Sequence, residues 1–179
     1  MSRVFDFAHA IVRQPAPSVV DGLRSGSGPS PNYEGVADEH RAYVTALEDT
    51  GVAVDVLPPL AAFPDSVFVE DPAFVLPEGA ILLAPGAASR AGEAAELAPA
   101  LAAHFPNLVA LEGGKADGGD VLILPDEILI GLSARTDQAG AEALTAGTGV
   151  VVAGLNSPTQ TVVAGPEAEV EEVVRRAGA

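Results

Sequence analysis

The sequence predicts an α/β fold, and three observations carry the prediction. Strand-like and helix-like apolar patterns alternate along the chain, glycine and proline clusters separate them, and 48% of the 179 residues are hydrophobic. A chain of that length and composition can bury a sizeable core, as one domain or as one domain plus a fragment.

The elements follow in order. Ala10 to Val12 reads as a short apolar strand, and Pro15, Pro17 and the Gly, Ser and Pro cluster from Ser25 to Pro31 form a flexible loop after it. Tyr33 to Gly51 reads as a helix: Val36, Tyr43, Val44 and Leu47 fall near helical spacing, charges fill the other face, and Gly51 is the stop. Val52 to Leu57 is a strand. Beyond Pro58 and Pro59, Ser66 to Val69 is a short β-branched strand candidate, and Ala80 to Ala84 has the continuous apolar character of a buried one. Ser89 to Phe105 is a second helix, rich in Ala and Leu, which Pro99 should kink or break. Leu108 to Leu111, Val121 to Leu124 and Ile128 to Ile130 are further strands, the last two joined through Pro125, Asp126 and Glu127 as a hairpin.

Charge and composition exclude several functions. The net charge of −16, from 25 acidic and nine basic residues, repels a phosphate backbone, so nucleic acid is not an expected partner. It suits a cationic ligand, although surface carboxylates also serve simply to solvate a fold. The sequence contains no cysteine, which removes disulfides, thiolate metal sites and cysteine nucleophiles together. His9, His40 and His104 are widely spaced, so no metal site and no cofactor are expected. No apolar run is long enough to span a bilayer, and Arg3, Asp6 and His9 occupy the place where a signal peptide is apolar, so a cytoplasmic, non-membrane protein is expected.

The chemistry concentrates at polar residues between the strands. In FPDSVFVEDP, Phe63 to Pro72, Asp65, Glu70 and Asp71 surround Val67, Phe68 and Val69. On a strand, Glu70 and Asp71 point to opposite faces and cannot share a role. These acids either cap turns or accept paired hydrogen bonds from a planar cation such as a guanidinium. Asp117, Gly118, Gly119 and Asp120 form either a plain tight turn or a place where backbone approaches a ligand or takes positive φ. Arg90 in PGAASR and Arg135 in GLSART each follow a strand; two such arginines can clamp a carboxylate, and isolated surface arginines are the commoner case.

Taken together, FPDSVFVEDP, PGAASR, DGGDVLI and GLSART, with the opening IVRQPAPSVVDGL, resemble the successive signature segments of the dimethylarginine dimethylaminohydrolases, members of the guanidine-modifying pentein superfamily. The resemblance covers about residues 10–146. It implies a partial pentein-type α/β propeller, about three of five strand, hairpin and helix modules, over residues 1–146. Residues 147–179 form a strand, turn, strand and helix tail, with Gly147 and Gly149 at the junction. That tail is similar to the small subdomain of malonyl and acyl carrier-protein transacylases; Asn156 lies in its turn, a helix opens at Pro166, and no catalytic role is carried over from it.

The resemblance also implies roles. Leu23 lies over the substrate in a mobile loop, Asp65 holds its α-amino group, Arg90 and Arg135 hold its α-carboxylate, Glu70 and Asp71 form the acidic pair, with Asp71 bonding the guanidinium, and Asp117 orients a general-acid histidine. The implied reaction hydrolyses a guanidino C–N bond, converting methylarginine to citrulline and a methylamine through a cysteine thiolate and that histidine. Neither can be placed here: there is no Cys, and the last histidine, His104, precedes Asp117. The chain is therefore expected to bind methylarginine or arginine better than it turns it over, as a truncated or chimeric hydrolase. The alternative is a noncatalytic pentein-like module for a guanidino ligand or a protein partner; a third reading is a hybrid whose tail meets an acyl carrier protein. Arginine deiminase chemistry differs only in the leaving amine. An incomplete propeller leaves unpaired strand edges, which a second copy or a complementing chain would cover.

Overall fold

The computed structural model describes residues 7–26, 28–76, 79–123 and 128–145, with the backbone of two further strands at 152–153 and 162–164. The chain divides into two compact units, Met1–Val69 and Glu70–Ala179.

In the first unit, β1 (His9–Arg13) pairs in parallel with β2 (Ala53–Leu57), Val12 opposite Val56. Parallel neighbours need a crossover, and α1 (Tyr33–Asp49) supplies it. Asn32 starts the helix by accepting the Gly35 N–H on its side-chain oxygen at 2.7 Å, and Gly51, at φ 87°, ends it in the left-handed conformation. The half-buried stripe of α1 is Val36, His40, Val44 and Leu47, while Tyr43 is 55% exposed. Tyr43 stands at the edge of that stripe, so His40 takes the inward place the sequence pattern gave to it.

Ser66–Val69 does not form a strand. The Ser66 N–H donates to the Phe63 carbonyl at 3.1 Å and the Phe68 N–H to the Asp65 carbonyl at 3.0 Å, which makes consecutive turns. Pro64 sits at the second position of the first turn, where its fixed φ is preferred.

In the second unit, β3 (Ala73–Leu76) and β4 (Gly79–Leu82) are an antiparallel pair, and β5 (Leu108–Ala110) adds in parallel to β4 after the crossover α2 (Glu93–His104). β3 is the strand that the sequence pattern displaced to Ser66–Val69. The break before α2 falls at Gly92, φ 107°, and α2 continues through Pro99 to His104. Arg90 stands ahead of that break in a short helical turn, Ala88–Arg90.

A four-stranded antiparallel sheet follows, in the order β6 (Val121–Ile123), β7 (Ile128–Ile130), β9 (Val162–Ala164), β8 (Val152–Ala153), with α3 (Gln138–Thr145) between β7 and β8 in sequence. The two strands of the tail thus pair with each other, and β9 pairs with β7. The Pro125 to Glu127 turn, Gly147, Gly149, Asn156 and the helix expected from Pro166 lie outside the described residues. Phe74, Leu83, Ala116, Ile130, Ala141 and Leu144 form the core of this unit. Its strands and α3 therefore hold the loops that carry Asp71, Asp117 and Arg135.

Candidate functional site

Four of the predicted residues meet in the second unit. Asp71 follows the turns that lead into β3 and is 8% exposed, and its carboxylate oxygen Oδ2 pairs with Nη1 of Arg90. Arg90 is 4% exposed. Its other edge is taken by Glu93, through Nε at 3.1 and 3.0 Å and Nη2 at 2.6 Å. Burial opposes the charge of Arg90, but the hydrogen bonds to Glu93 and Asp71 outweigh it and hold the guanidinium above its ordinary pKa.

Asp117 opens the helical turn Gly118–Asp120 and is fully buried. Its Oδ1 accepts the Gly119 N–H at 2.9 Å and faces Nη1 of Arg135 at 3.3 Å, whereas its Oδ2 has no hydrogen-bond partner among the described residues. Burial first, and then the neighbouring Asp71 charge, push the Asp117 carboxyl up to about 6, against the opposing pull of the Gly119 N–H and Arg135. The buried Thr136 hydroxyl holds the backbone beneath it, accepting the Asp117 N–H at 3.1 Å.

Arg135 has a half-exposed side chain and a second partner, Oδ1 of Asp120, at 3.0 Å. The other oxygen of Asp120 accepts the hydroxyls of Ser133 at 2.7 Å and Thr136 at 2.8 Å. The segment around Arg90 is tied to this loop, because the Gly86 N–H donates to the Arg135 carbonyl at 3.1 Å. Asp71, Glu93, Asp117 and Asp120 thus set four carboxylates against two guanidiniums, an arrangement that favours a further cation.

The two glycines are needed for closeness rather than for positive φ. Neither Gly118 nor Gly119 has positive φ. A Cβ on Gly118 would collide with the Glu70 carbonyl oxygen, and one on Gly119 would lie 2.9 Å from Asp71 Oδ1 and 3.0 Å from Asp117 Oδ1. Glu70 is exposed and sits in a turn, so its separation from the buried Asp71 comes from turn geometry and not from strand alternation.

In the first unit, the Asp65 carboxylate is 6% exposed and accepts the Leu23 N–H at 2.9 and 3.2 Å. Leu23 itself is 60% exposed. A groove of about 370 Å³ in this unit is lined by Gln14, Tyr33, His40, Arg41, Val44 and Val56 among others, and no candidate residue lines it. Sequence reasoning missed Glu93 and Thr136. Glu93 was findable: it precedes the buried Leu97 and Leu101 by one and two helical repeats, so a charge falls on an apolar stripe.

The family model described as N,N dimethylarginine dimethylhydrolase, eukaryotic, matches residues 30–160. The chain belongs to this family. The dimethylarginine dimethylaminohydrolase of Pseudomonas aeruginosa is 41% identical over 142 residues, 78% of this chain and 56% of the relative, and that of Streptomyces coelicolor is 37% identical over 139 residues, 76% and 54%. A solved structure of the Pseudomonas aeruginosa enzyme, a cysteine-to-serine variant complexed with citrulline, superposes with a TM-score of 0.77 at 40% identity, covering 79% of this chain and 56% of that one. The mixed α/β fold is thus of the dimethylargininase, pentein-like kind. The chain spans about half the length of the curated relatives it matches. The family match runs past Leu144 to residue 160, into the segment that holds β8.

Proposed function

We propose that this chain is the ligand-binding part of a hydrolase of the guanidino C–N bond, and that the cluster around Asp71 and Asp117 holds the cationic head of dimethylarginine or arginine. The observation that carries this reading is the fully buried Asp117, whose Oδ2 has no protein partner among the described residues, beside the carboxylate of Asp71. A buried acceptor left unmatched is costly, and a planar cation or a protonated histidine would satisfy it.

Asp71 bonds the guanidinium, and Asp117 holds the place of the acid that orients a general-acid histidine, a histidine that these 179 residues do not supply after it. The half-exposed Arg135 supplies positive charge to the α-carboxylate of the ligand, whereas the buried Arg90, expected from the sequence to share that role, is engaged by Glu93 and Asp71 and braces Asp71 instead. Hydrolysis needs a nucleophile, and none of the 179 residues is a cysteine. Residues 1–146 then form about three modules of a pentein propeller, supported by the strand, helix, strand units β1–α1–β2 and β4–α2–β5, and residues 147–179 extend the last of them, since β9 adds to β7 and the family match runs to residue 160.

Calorimetric titration of the chain with N,N-dimethyl-L-arginine, with citrulline assayed in the same sample, tests the reading. Binding without citrulline is expected. Failure to bind, or an Asp71→Ala, Arg135→Ala double variant that binds as the wild type does, would sink it, because charge-assisted hydrogen bonds should each contribute about 1.5 to 3 kcal/mol.

A further inference from the structure

We infer that Glu93 is a positioning residue for this site: it neutralises Arg90, so that the charge of Asp71 stays available to a cationic ligand. The inference rests on the functional reading above. Arg90 lies between two buried carboxylates, with Glu93 2% exposed on one edge and Asp71 8% exposed on the other. One positive charge shared by two negative ones leaves the triad at a net −1.

The geometry divides the two carboxylates. Glu93 engages the Nε and Nη2 edge of the guanidinium through both of its oxygens, the planar bidentate pairing that best satisfies arginine. Asp71 pairs through Oδ2 with Nη1, and its Oδ1 is the oxygen that lies 2.9 Å from a Cβ placed on Gly119, on the side of Asp117. If Glu93 were neutral, Arg90 would have Asp71 as its main counter-ion and the pair would sum to zero. The site as a whole would fall from four carboxylates against two guanidiniums to three against two, and its electrostatic preference for a cation over a neutral molecule of the same shape would weaken. A merely structural role for Glu93 would change affinity for both molecules alike.

N,N-Dimethyl-L-arginine and citrulline provide that comparison, since both carry the α-amino acid end while only the first is cationic at its tip. The 179-residue chain and its Glu93→Gln and Glu93→Asp variants are titrated calorimetrically with each, at a temperature where circular dichroism shows them folded. The wild type should prefer the cation, Glu93→Gln should reduce that preference about tenfold, and Glu93→Asp, which keeps the charge, should hold it within about twofold. An unchanged preference in folded Glu93→Gln overturns the inference, as does a collapse of preference in Glu93→Asp, which also decides the matter if Glu93→Gln does not fold. A wild-type chain that binds neither molecule overturns the functional reading and the inference with it, whereas wild-type binding with an unchanged preference in Glu93→Gln overturns the inference alone.

Discussion

The Thr136 hydroxyl accepts the Asp117 backbone N–H at 3.1 Å and donates to Asp120 at 2.8 Å, with Thr136 fully buried. One side chain thus fixes both acids of the DGGD segment. Thr136→Val keeps the volume and removes both bonds, leaving a buried N–H unmatched, so it should cost about 2 kcal/mol in urea unfolding. Thr136→Ser keeps the hydroxyl and should lose less than about 1 kcal/mol. Equal losses in the two variants would show that the hydroxyl does not hold this loop.

Gly118 and Gly119 should respond differently to alanine. At Gly118 the added methyl meets the Glu70 backbone carbonyl, which cannot swing aside, and the variant should lose at least about 2 kcal/mol of stability. At Gly119 it meets the ends of the Asp71 and Asp117 carboxylates, which can rotate. Gly119→Ala should therefore be the milder change in unfolding and the more damaging one in dimethylarginine affinity, by about tenfold. A stable Gly118→Ala chain would refute the close approach of the two backbones.

The α/β class and most elements were legible because apolar period and glycine or proline punctuation coincide at them, as at α1 and β7. The exceptions have local physical causes. Ser66–Val69 has strand composition, but Pro64 and the Asp65 carbonyl commit it to turns, and the strand moves to Ala73–Leu76. Pro99 was expected to kink or break the helix, yet α2 runs on through it, and the boundary falls at Gly92, whose left-handed conformation separates α2 from the preceding turn. At the site, motif order brought out Asp71, Arg90, Asp117 and Arg135, whereas Glu93 acts through its neighbour Arg90 and Thr136 through partners distant in sequence. Only folding brings Thr136 beneath Asp117, 19 residues away.

Asp65 should act on the loop that carries Leu23. Its carboxylate accepts the Leu23 N–H, and a Cβ on Gly22 would lie 2.7 Å from its Oδ1, so the loop passes tightly over the acid. Asp65→Ala should speed hydrogen exchange at the Leu23 amide and cost about 1 to 2 kcal/mol. Leu23→Ala, at a residue 60% exposed, should change stability by less than about 0.5 kcal/mol. Unaltered exchange at Leu23 in Asp65→Ala would rule out the tether.

Asp117 should make the stability of the chain depend on pH in a predictable direction. Its folded carboxyl titrates at about 6, above the ordinary value of 3.8, because burial and the Asp71 charge disfavour the anion. The folded state therefore binds this proton more tightly than the unfolded state does, and stability falls as pH rises from about 4 to 6. A shift of that size corresponds to a difference on the order of 3 kcal/mol, and full burial leaves little solvent to screen it. Asp117→Asn keeps an acceptor for the Gly119 N–H and removes the titration. The general repulsion of a chain with net charge −16 acts on both proteins, so the difference between their stabilities across this range isolates Asp117. A cationic ligand stabilises the anion, and dimethylarginine affinity should accordingly weaken as pH drops through about 6 in the wild type and stay flatter in Asp117→Asn. Thermal melts and titrations at pH 4, 5, 6 and 7 would show parallel curves for the two proteins if Asp117 carries no such shift.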